Sequence, residues 1–378
     1  MIPLKKLVIV SHTPHHINAN GEILGWGPTV NELNYLSNFW EELVHIGCQQ
    51  TYTNNPSFVP YQNNNIRIAL IPSFGGVSFL SKLSVFYTAP RVIYQIFKNI
   101  KGASHVQIRV PMGIGVYVLP FFWFIPRKFL LWVKYANNWG HISKSLGYRF
   151  QRSFLIQNYL QCKVTINGFW PTQPKHCISF ENPCISEEQL KIGSLKKKNF
   201  GGKLNFVFAG RMDENKGVDL ILKIIPNLPK DRMNQILFLG DGPLKNELEE
   251  ITNQNSINSI FYGYVSQEKV HEVLMEAHVL LLPSKSEGFP KIVAEAWNYG
   301  VIPIVSPVGS VPHYLFHRKN GFLMKTVSVE GLDFTLSELF SCEENELLLI
   351  SRNGNQAASR FTFENYFNQL RKEVFLDN

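Results

Sequence analysis

Glu287 and Glu295 stand eight positions apart in residues 284–297, which read SKSEGFPKIVAEAW. The apolar run at 278–282 has the length of a buried strand, and Pro283 bounds it. Gly288 allows a tight turn and a close approach of backbone to a ligand. Pro290 suits the first position of a helix, where a missing N–H costs nothing. Ile292, Val293, Ala296 and Trp297 then fall on one face at helical spacing. The spacing predicts a strand, a glycine turn carrying Glu287, and a helix carrying Glu295 among apolar neighbours. Free N–H groups at such a helix start attract phosphate.

A second group lies in residues 206–217, FVFAGRMDENKG. A strand ends at Gly210, a loop carries Arg211 and Lys216, and a helix begins near Gly217. Ligands bind at strand ends in doubly wound sheets. Two cations five apart across such a loop could clamp a diphosphate, Arg211 as a fork and Lys216 as a point charge. A solvated loop of mixed charge is the plain alternative for this segment alone. Between the two groups, residues 239–243 (LGDGP) place Gly242 in a turn before a helix. Near the amino terminus, residues 11–16 (SHTPHH) read as the loop after the first strand, and residues 25–29 (GWGPT) as a glycine turn opening a helix at Pro28. Gly27 again permits close approach. His12, His15 and His16 invite a metal reading, but no Asp or Cys adjoins them, so they are read as histidines on a cleft loop. A catalytic or acceptor-orienting role stays open for them. No Asp-x-Asp occurs anywhere, so no carboxylate pair offers itself to Mg²⁺ or Mn²⁺. Neither a metal nor a cofactor is expected.

The elements that must position these residues alternate. Strands are predicted at 6–11, 66–71, 106–110, 129–135 and 164–167, then at 204–209, 235–239, 259–262, 278–282 and 301–305. Helices are predicted at 30–46, 218–225, 245–252, 267–277 and 360–375. This is the α/β pattern of parallel, doubly wound sheets. Two Rossmann-like domains facing a cleft follow from it: 1–190, a polar linker at 191–203, and 204–355, with 356–378 as a carboxy-terminal helix. The linker belongs to a longer polar stretch, 187–203, with three consecutive lysines and a Gly-Gly.

The Glu-Gly-Phe turn with a second Glu in the following helix resembles the Glu-x7-Glu signature of retaining glycosyltransferases of family 4, which have the GT-B architecture. Residues 210–217 look like that family's Gly-Arg-x5-Lys-Gly pattern, with four residues between the cations here. The resemblance is strong from about Leu204 to Met324 and thin before. It implies that Arg211 and Lys216 hold the diphosphate of a nucleotide-sugar donor. It implies that Glu287 lies close to the donor sugar and Glu295 binds the ribose hydroxyls. Gly288 and Phe289 would offer backbone N–H groups, Gly242 would lie on the rim where the base stacks, and Gly27 would belong to the glycine loop over the diphosphate. It also implies front-face attack with retention, the leaving phosphate taking the acceptor's proton, and a carboxy-terminal helix that crosses back to the first domain. The chain departs from the family at Gly309-Ser310-Val311-Pro312-His313, where Gly-Gly-x-Pro-Glu is usual.

Charge narrows the partners. The net charge of +8 divides into +13 over residues 1–198 and −5 over residues 199–378, and no Asp precedes Asp213. One half therefore suits an anionic partner. No recognisable nucleic-acid motif accompanies the charge, so an anionic membrane surface beside a glycan or lipid-linked acceptor is expected instead. No apolar run reaches membrane-spanning length, residues 1–10 read as a first strand, and the five cysteines form no Cys-x-x-Cys. A cytoplasmic enzyme, peripheral on the inner face of a membrane, is the expectation. A nucleotide-sugar epimerase of the same architecture, and a basic binding subunit without activity, are the rival readings.

Overall fold

The computed structural model describes residues 3–52, 55–76, 79–140, 143, 145–195 and 197–375. It divides into two compact units, residues 1–180 with 367–378, and residues 181–366.

The first unit is built on a nine-stranded sheet. Its parallel strands are β1 (Leu4–Ile17), β3 (Trp40–Gln49), β5 (Ile66–Ile71), β6 (His105–Val110), β7 (Leu130–Tyr135), β8 (Lys163–Ile166) and β9 (Cys177–Ser179), in the order β5-β3-β1-β6-β7-β8-β9. Two short strands extend the sheet beside the far half of β1: β2 (Ile23–Trp26) pairs antiparallel with β1, and β4 (Phe58–Pro60) pairs antiparallel with β2. Helices α1 (Gly27–Ser37), α2 (Phe79–Tyr87), α3 (Ala89–Asn99), α4 (Gly115–Phe124) and α5 (Leu146–Ile156) connect them. Strand alternation sends Val8, Val10, Val106 and Ile108 into one core with Val92, Ile96, Leu119, Phe122 and Leu155 of α3–α5. On the neighbouring positions Leu7 and Ile9 are buried, as are Val30, Leu33 and Leu36 of α1. The chain's end completes this unit: Phe367 stacks on Phe39 at 3.6 Å, and Phe375 meets Trp40, His105 and Trp132 edge-on.

Three expectations need correcting. The helix predicted over 30–46 stops at Ser37, and Trp40 begins β3. The stop is supplied from afar. Asn63 donates to the Asn34 carbonyl, and Asn65 donates to the Ser37 and Trp40 carbonyls. These occupy acceptors that a helix end leaves open. Secondly, His12, His15 and His16 lie on a strand and not on a loop, because β1 runs on to Ile17. After a register break beyond Val10, it pairs His15 with Gln49 of β3 and with Gly25 of β2. Thirdly, the polar stretch 187–203 opens as helix α6 (Glu187–Leu195). Ser186 and Gln189 form a reciprocal capping box, at 3.2 and 2.8 Å, and Glu187 and Glu188 suit the positive end of the helix dipole. Beyond it, Lys198 donates to the carbonyls of Leu274, Met275 and Ala277.

The second unit carries a six-stranded parallel sheet: β10 (Leu204–Ala209), β11 (Met233–Leu239), β12 (Ser259–Gly263), β13 (Val279–Leu282), β14 (Ile302–Val305) and β15 (Phe322–Leu323). The order is β12-β11-β10-β13-β14-β15. Helices α7 (Val218–Ile224), α8 (Lys245–Gln254), α9 (Gln267–Glu276), α10 (Lys291–Asn298), α11 (Val329–Ser341) and α12 (Glu344–Ala358) accompany it, and α13 (Phe363–Leu370) follows. The strand order runs outward from β10 in one direction and then restarts at β13 in the other. Such a reversal leaves a crevice beyond the carboxyl ends of the two central strands, the usual ligand position in this class of sheet.

Candidate active site

The loops after β10 and β13 flank that reversal, and each carries half of the predicted constellation. After β10, Asp213 caps a single 3₁₀ turn by accepting from the Lys216 N–H at 3.1 Å. Gly217 then takes φ of 75°, and a Cβ there would stand 2.1 Å from the Pro283 carbonyl oxygen. Only glycine allows this approach of the β10 loop to the end of β13. The Lys285 N–H donates to the Asn215 carbonyl at 2.8 Å, and Lys285 Nζ lies 2.9 Å from Asp219. The two loops are thereby laced together. Lys216 Nζ meets Glu287 Oε1 at 2.5 Å, with both side chains mostly buried. Arg211 is 68% exposed and its Nε lies 3.1 Å from Asp213 Oδ2. The structure therefore joins Lys216 to Glu287 and leaves Arg211 at the surface, held by a neighbouring acid.

The Glu287–Gly288 turn is fixed from two sides. Below it, Phe289 is buried and stacks on Phe361 at 4.7 Å, with Tyr314 and Trp297 around it. The Phe289 side chain is thus a core anchor, which leaves only its backbone for the role the resemblance implies. Beside it, Gly309 takes φ of 59°, and a Cβ there would stand 2.2 Å from the carbonyl oxygens of Glu287 and Gly288. Ser310 donates to the Gly288 carbonyl through both its N–H, at 2.8 Å, and its hydroxyl, at 3.0 Å. The departure at 309–313 therefore has a structural reason: the serine holds the turn. Among the described residues, the N–H groups of Gly288 and Phe289 find no acceptor in the protein.

Glu295 lies in α10, partly buried. Burial pushes its carboxyl up to about 7, against the opposing pull of Lys291 and a Gln267 hydrogen bond. Gln267 opens α9 and had no signal in the local sequence that paired it with Glu295. Ser284, also unflagged by the sequence, is buried at the end of β13 with no partner for its hydroxyl among the described residues. Gly242 packs its backbone against Met212, whose carbonyl oxygen a Cβ would approach to 2.5 Å, and its N–H already donates to Asp241 Oδ1 at 2.7 Å. The turn after β11 thus supports the β10 loop.

In the first unit, Gly27 begins α1, and its N–H donates to the Ser57 carbonyl at 2.8 Å. His15 and His45 share the Tyr61 hydroxyl, each at 2.7 Å, and Ser11 reaches His45 at 2.7 Å. Burial lowers His15 to about 4 and His45 well below its usual value, so both are neutral at pH 7. With Ser11 and Tyr61 they form an interior polar network. His16 is buried and stacks on Phe58 at 3.9 Å. His12 is exposed; crowding by surrounding protein and then the Arg109 guanidinium lower its pKa. Among the described residues, no three His, Cys, Asp or Glu side chains gather as a metal site.

The chain aligns with sucrose-phosphate synthase from Thermosynechococcus elongatus over 99% of its length and 100% of that chain, at a TM-score of 0.69 and 14% identity. The fold is GT-B. Anabaena HepE, solved with UDP and glucose, aligns over 97% of this chain and 98% of that one, at a TM-score of 0.65 and 11% identity. Residues 194–356, the GT-B chain's second unit for the most part, match the family model for glycosyl transferases, group 1. The gpi3 subunit of the fission-yeast (Schizosaccharomyces pombe) phosphatidylinositol N-acetylglucosaminyltransferase is 30% identical over 148 residues, covering 38% of this chain and 31% of that protein. An uncharacterized glycosyltransferase of Methanocaldococcus jannaschii is 26% identical over 181 residues, covering 47% and 45%. The chain thus spans under half the length of these curated relatives.

Proposed function

We propose that this GT-B chain is a retaining glycosyltransferase. It moves a sugar from a nucleotide-diphosphate donor to an acceptor hydroxyl, in assembly of a surface polysaccharide or a lipid-linked glycan. One observation carries the reading: Lys216 and Glu287 meet across the strand-order reversal, beside a turn whose Gly288 and Phe289 N–H groups have no acceptor among the described residues. In this reading Lys216 and Arg211 stabilise charge growing on the departing diphosphate. Glu287 holds Lys216 in place and faces the donor sugar. Glu295 accepts from the ribose hydroxyls. The leaving phosphate takes the acceptor's proton as the acceptor attacks from the same face. The fission-yeast relative is named for a phosphatidylinositol acceptor, which supports a lipid-linked one here. The HepE complex makes UDP the first nucleotide to try.

The test is calorimetric titration with UDP and UDP-sugars, followed by product analysis with and without acceptor. Binding with transfer and retained anomeric configuration is expected. Conversion of the donor without any acceptor would point to the epimerase reading, and absence of nucleotide binding would remove the assignment.

The Glu295 carboxyl adds a pH dependence with a definite sign. Its folded pKa of about 7 lies above the usual 4.5, so the folded state holds a proton that the unfolded chain has released between those values. Its protonation stabilises the fold at low pH, and that contribution is lost as pH rises through 7. Ribose hydroxyls donate to an ionised carboxylate, so donor affinity should rise, by about tenfold, between pH 5.5 and 8. Glu295→Gln should bind more weakly and lose that slope. A slope that persists in Glu295→Gln would take the ribose role away from this residue.

Transfer should survive EDTA, because cations and N–H groups supply the charge stabilisation in this scheme. Loss of activity on chelation, restored by Mn²⁺ or Mg²⁺, would require a different account of the leaving group.

A further inference from the structure

Residues 43–180 contain 14 Lys and Arg and no Asp or Glu. Helices α2 to α5 all come from this acid-free stretch. A run of cations is usually just a solvated face, so the question is what accompanies it. Helices α3, α4 and α5 lead directly into the parallel strands β6, β7 and β8. Their carboxyl ends therefore gather at one edge of the first unit, where those strands begin. Exposed aromatics sit at these ends: Phe97 at 51%, Trp123 at 48%, Phe124 at 76% and Tyr159 at 46%. Trp123 touches Phe124 and Tyr159, with ring centroids 4.7 and 5.6 Å apart, so three of the four form one cluster.

Cations are interleaved with them. Lys101 lies over the Phe97 ring at 5.2 Å. A depression of about 550 Å³ lined by Phe97, Lys101 and Lys128 joins the end of α3 to that of α4. Another of about 880 Å³, lined by Arg127, Lys128 and Lys163, joins the end of α4 to the start of β8. Cations at helix carboxyl ends complement the helix dipole. That accounts for some of the lysines but not for four exposed aromatic rings beside them.

We infer that this edge of the first unit docks on an anionic lipid bilayer. Trp and Tyr favour the headgroup level, Phe enters the acyl boundary, and Lys and Arg keep their charges among anionic headgroups. Leu119 and Phe122 of α4 face the core, so what this helix brings to the edge is Trp123 and Phe124 at its carboxyl end. No helix among the described residues is long and apolar enough to cross a membrane, so the contact is one of surface attachment. The inference goes beyond the sugar-transfer reading and does not rest on it. The patch belongs to the first unit, whereas Lys216, Glu287 and Glu295 belong to the second.

The experiment is co-sedimentation of the full chain with vesicles of phosphatidylcholine alone, or of phosphatidylcholine mixed with phosphatidylglycerol, at low and high salt. The wild type should bind only the mixed vesicles, and less at high salt. Arg127→Gln with Lys128→Gln should bind about 30-fold more weakly. Trp123→Ser with Phe124→Ser should lose at least about tenfold. UDP titration should be unchanged in both double variants and each should still unfold cooperatively, which separates loss of the patch from loss of the fold and from failure of the donor site. No binding to mixed vesicles at low salt would overturn the inference, as would wild-type binding by both variants. Capture of a single-stranded oligonucleotide by the same patch, with vesicles ignored, would assign the face to nucleic acid and overturn it equally.

Discussion

Lys216→Ala should lower sugar transfer by roughly 100- to 1000-fold while the protein stays folded at the assay temperature. The argument starts from the strand order. Lys216 follows β10 and Glu287 follows β13, and these are the two strands between which the sheet reverses direction. Their contact at 2.5 Å stations a cation at the crevice without a ligand. A donor diphosphate would offer Lys216 a second and stronger partner, and charge grows on that diphosphate only as the sugar departs. The lost interaction is therefore one made mainly in the transition state, so kcat should fall more than donor affinity. Removing Lys216 also leaves Glu287, 13% exposed, as an unbalanced carboxylate beside the arriving phosphates. Arg211→Ala should lose less, because Arg211 is exposed and must leave Asp213 before it can reach a ligand. Asp213→Asn would free it and should partly offset weak donor binding at high salt. Steady-state kinetics with a matched acceptor, alongside thermal melts, check these results. Wild-type turnover in Lys216→Ala and Arg211→Ala together would end the assignment of the donor site.

How much of this was legible depends on distance along the chain. The glycine turn and helix at 284–297 could be read because their signals are adjacent: Glu287, Gly288, Pro290 and an apolar stripe. The same holds for Arg211 and Lys216 on one loop. The strands of the second sheet were legible because buried parallel strands are short continuous apolar runs. What escaped was supplied by residues far away. Asn63 and Asn65 end α1, and without them the pattern from Val30 to Ile46 reads as one helix. Strand β1 extends through the histidines because β2 and β3 pair with its far half. Its polar SHTPHH sequence looks like a loop only when those partners are ignored. Gly309 and Ser310 looked like a flaw in a motif until their contacts with Gly288 were visible. The Lys216–Glu287 pair joins positions whose adjacency depends on strand order, which periodicity does not encode.

Glu32→Gln should destabilise the first unit by roughly 3–5 kcal/mol, lowering its melting temperature by about 10 °C. Parallel pairing of β6 with β7 sets Arg109 directly beside Lys134, both buried. Two like charges side by side on neighbouring strands repel, and taking them out of water costs more still. Glu32, from α1, resolves part of this. Its carboxylate accepts from Arg109 Nη2 at 2.8 Å and from Lys134 Nζ at 2.8 and 2.9 Å. Gln107 takes the Arg109 Nε–H at 2.7 Å. The triad keeps one net positive charge, and the Arg109 guanidinium helps to lower both His12 and His45. Glutamine has the same shape but no charge, so a loss of stability would measure electrostatics and not a cavity. It should also depress the His12 pKa further, which an NMR titration can follow separately from the melt. Because Glu32 is in the helix that begins at Gly27, the loss should loosen the glycine turn at its start, read as faster amide exchange at Val30 and Leu33. Replacing Glu32, Arg109 and Lys134 together with apolar residues of similar volume should restore much of the stability, since the penalty arises from unpaired buried charge. If Glu32→Gln melts within about 1 °C of the wild type, the triad is not what fastens α1 to the sheet.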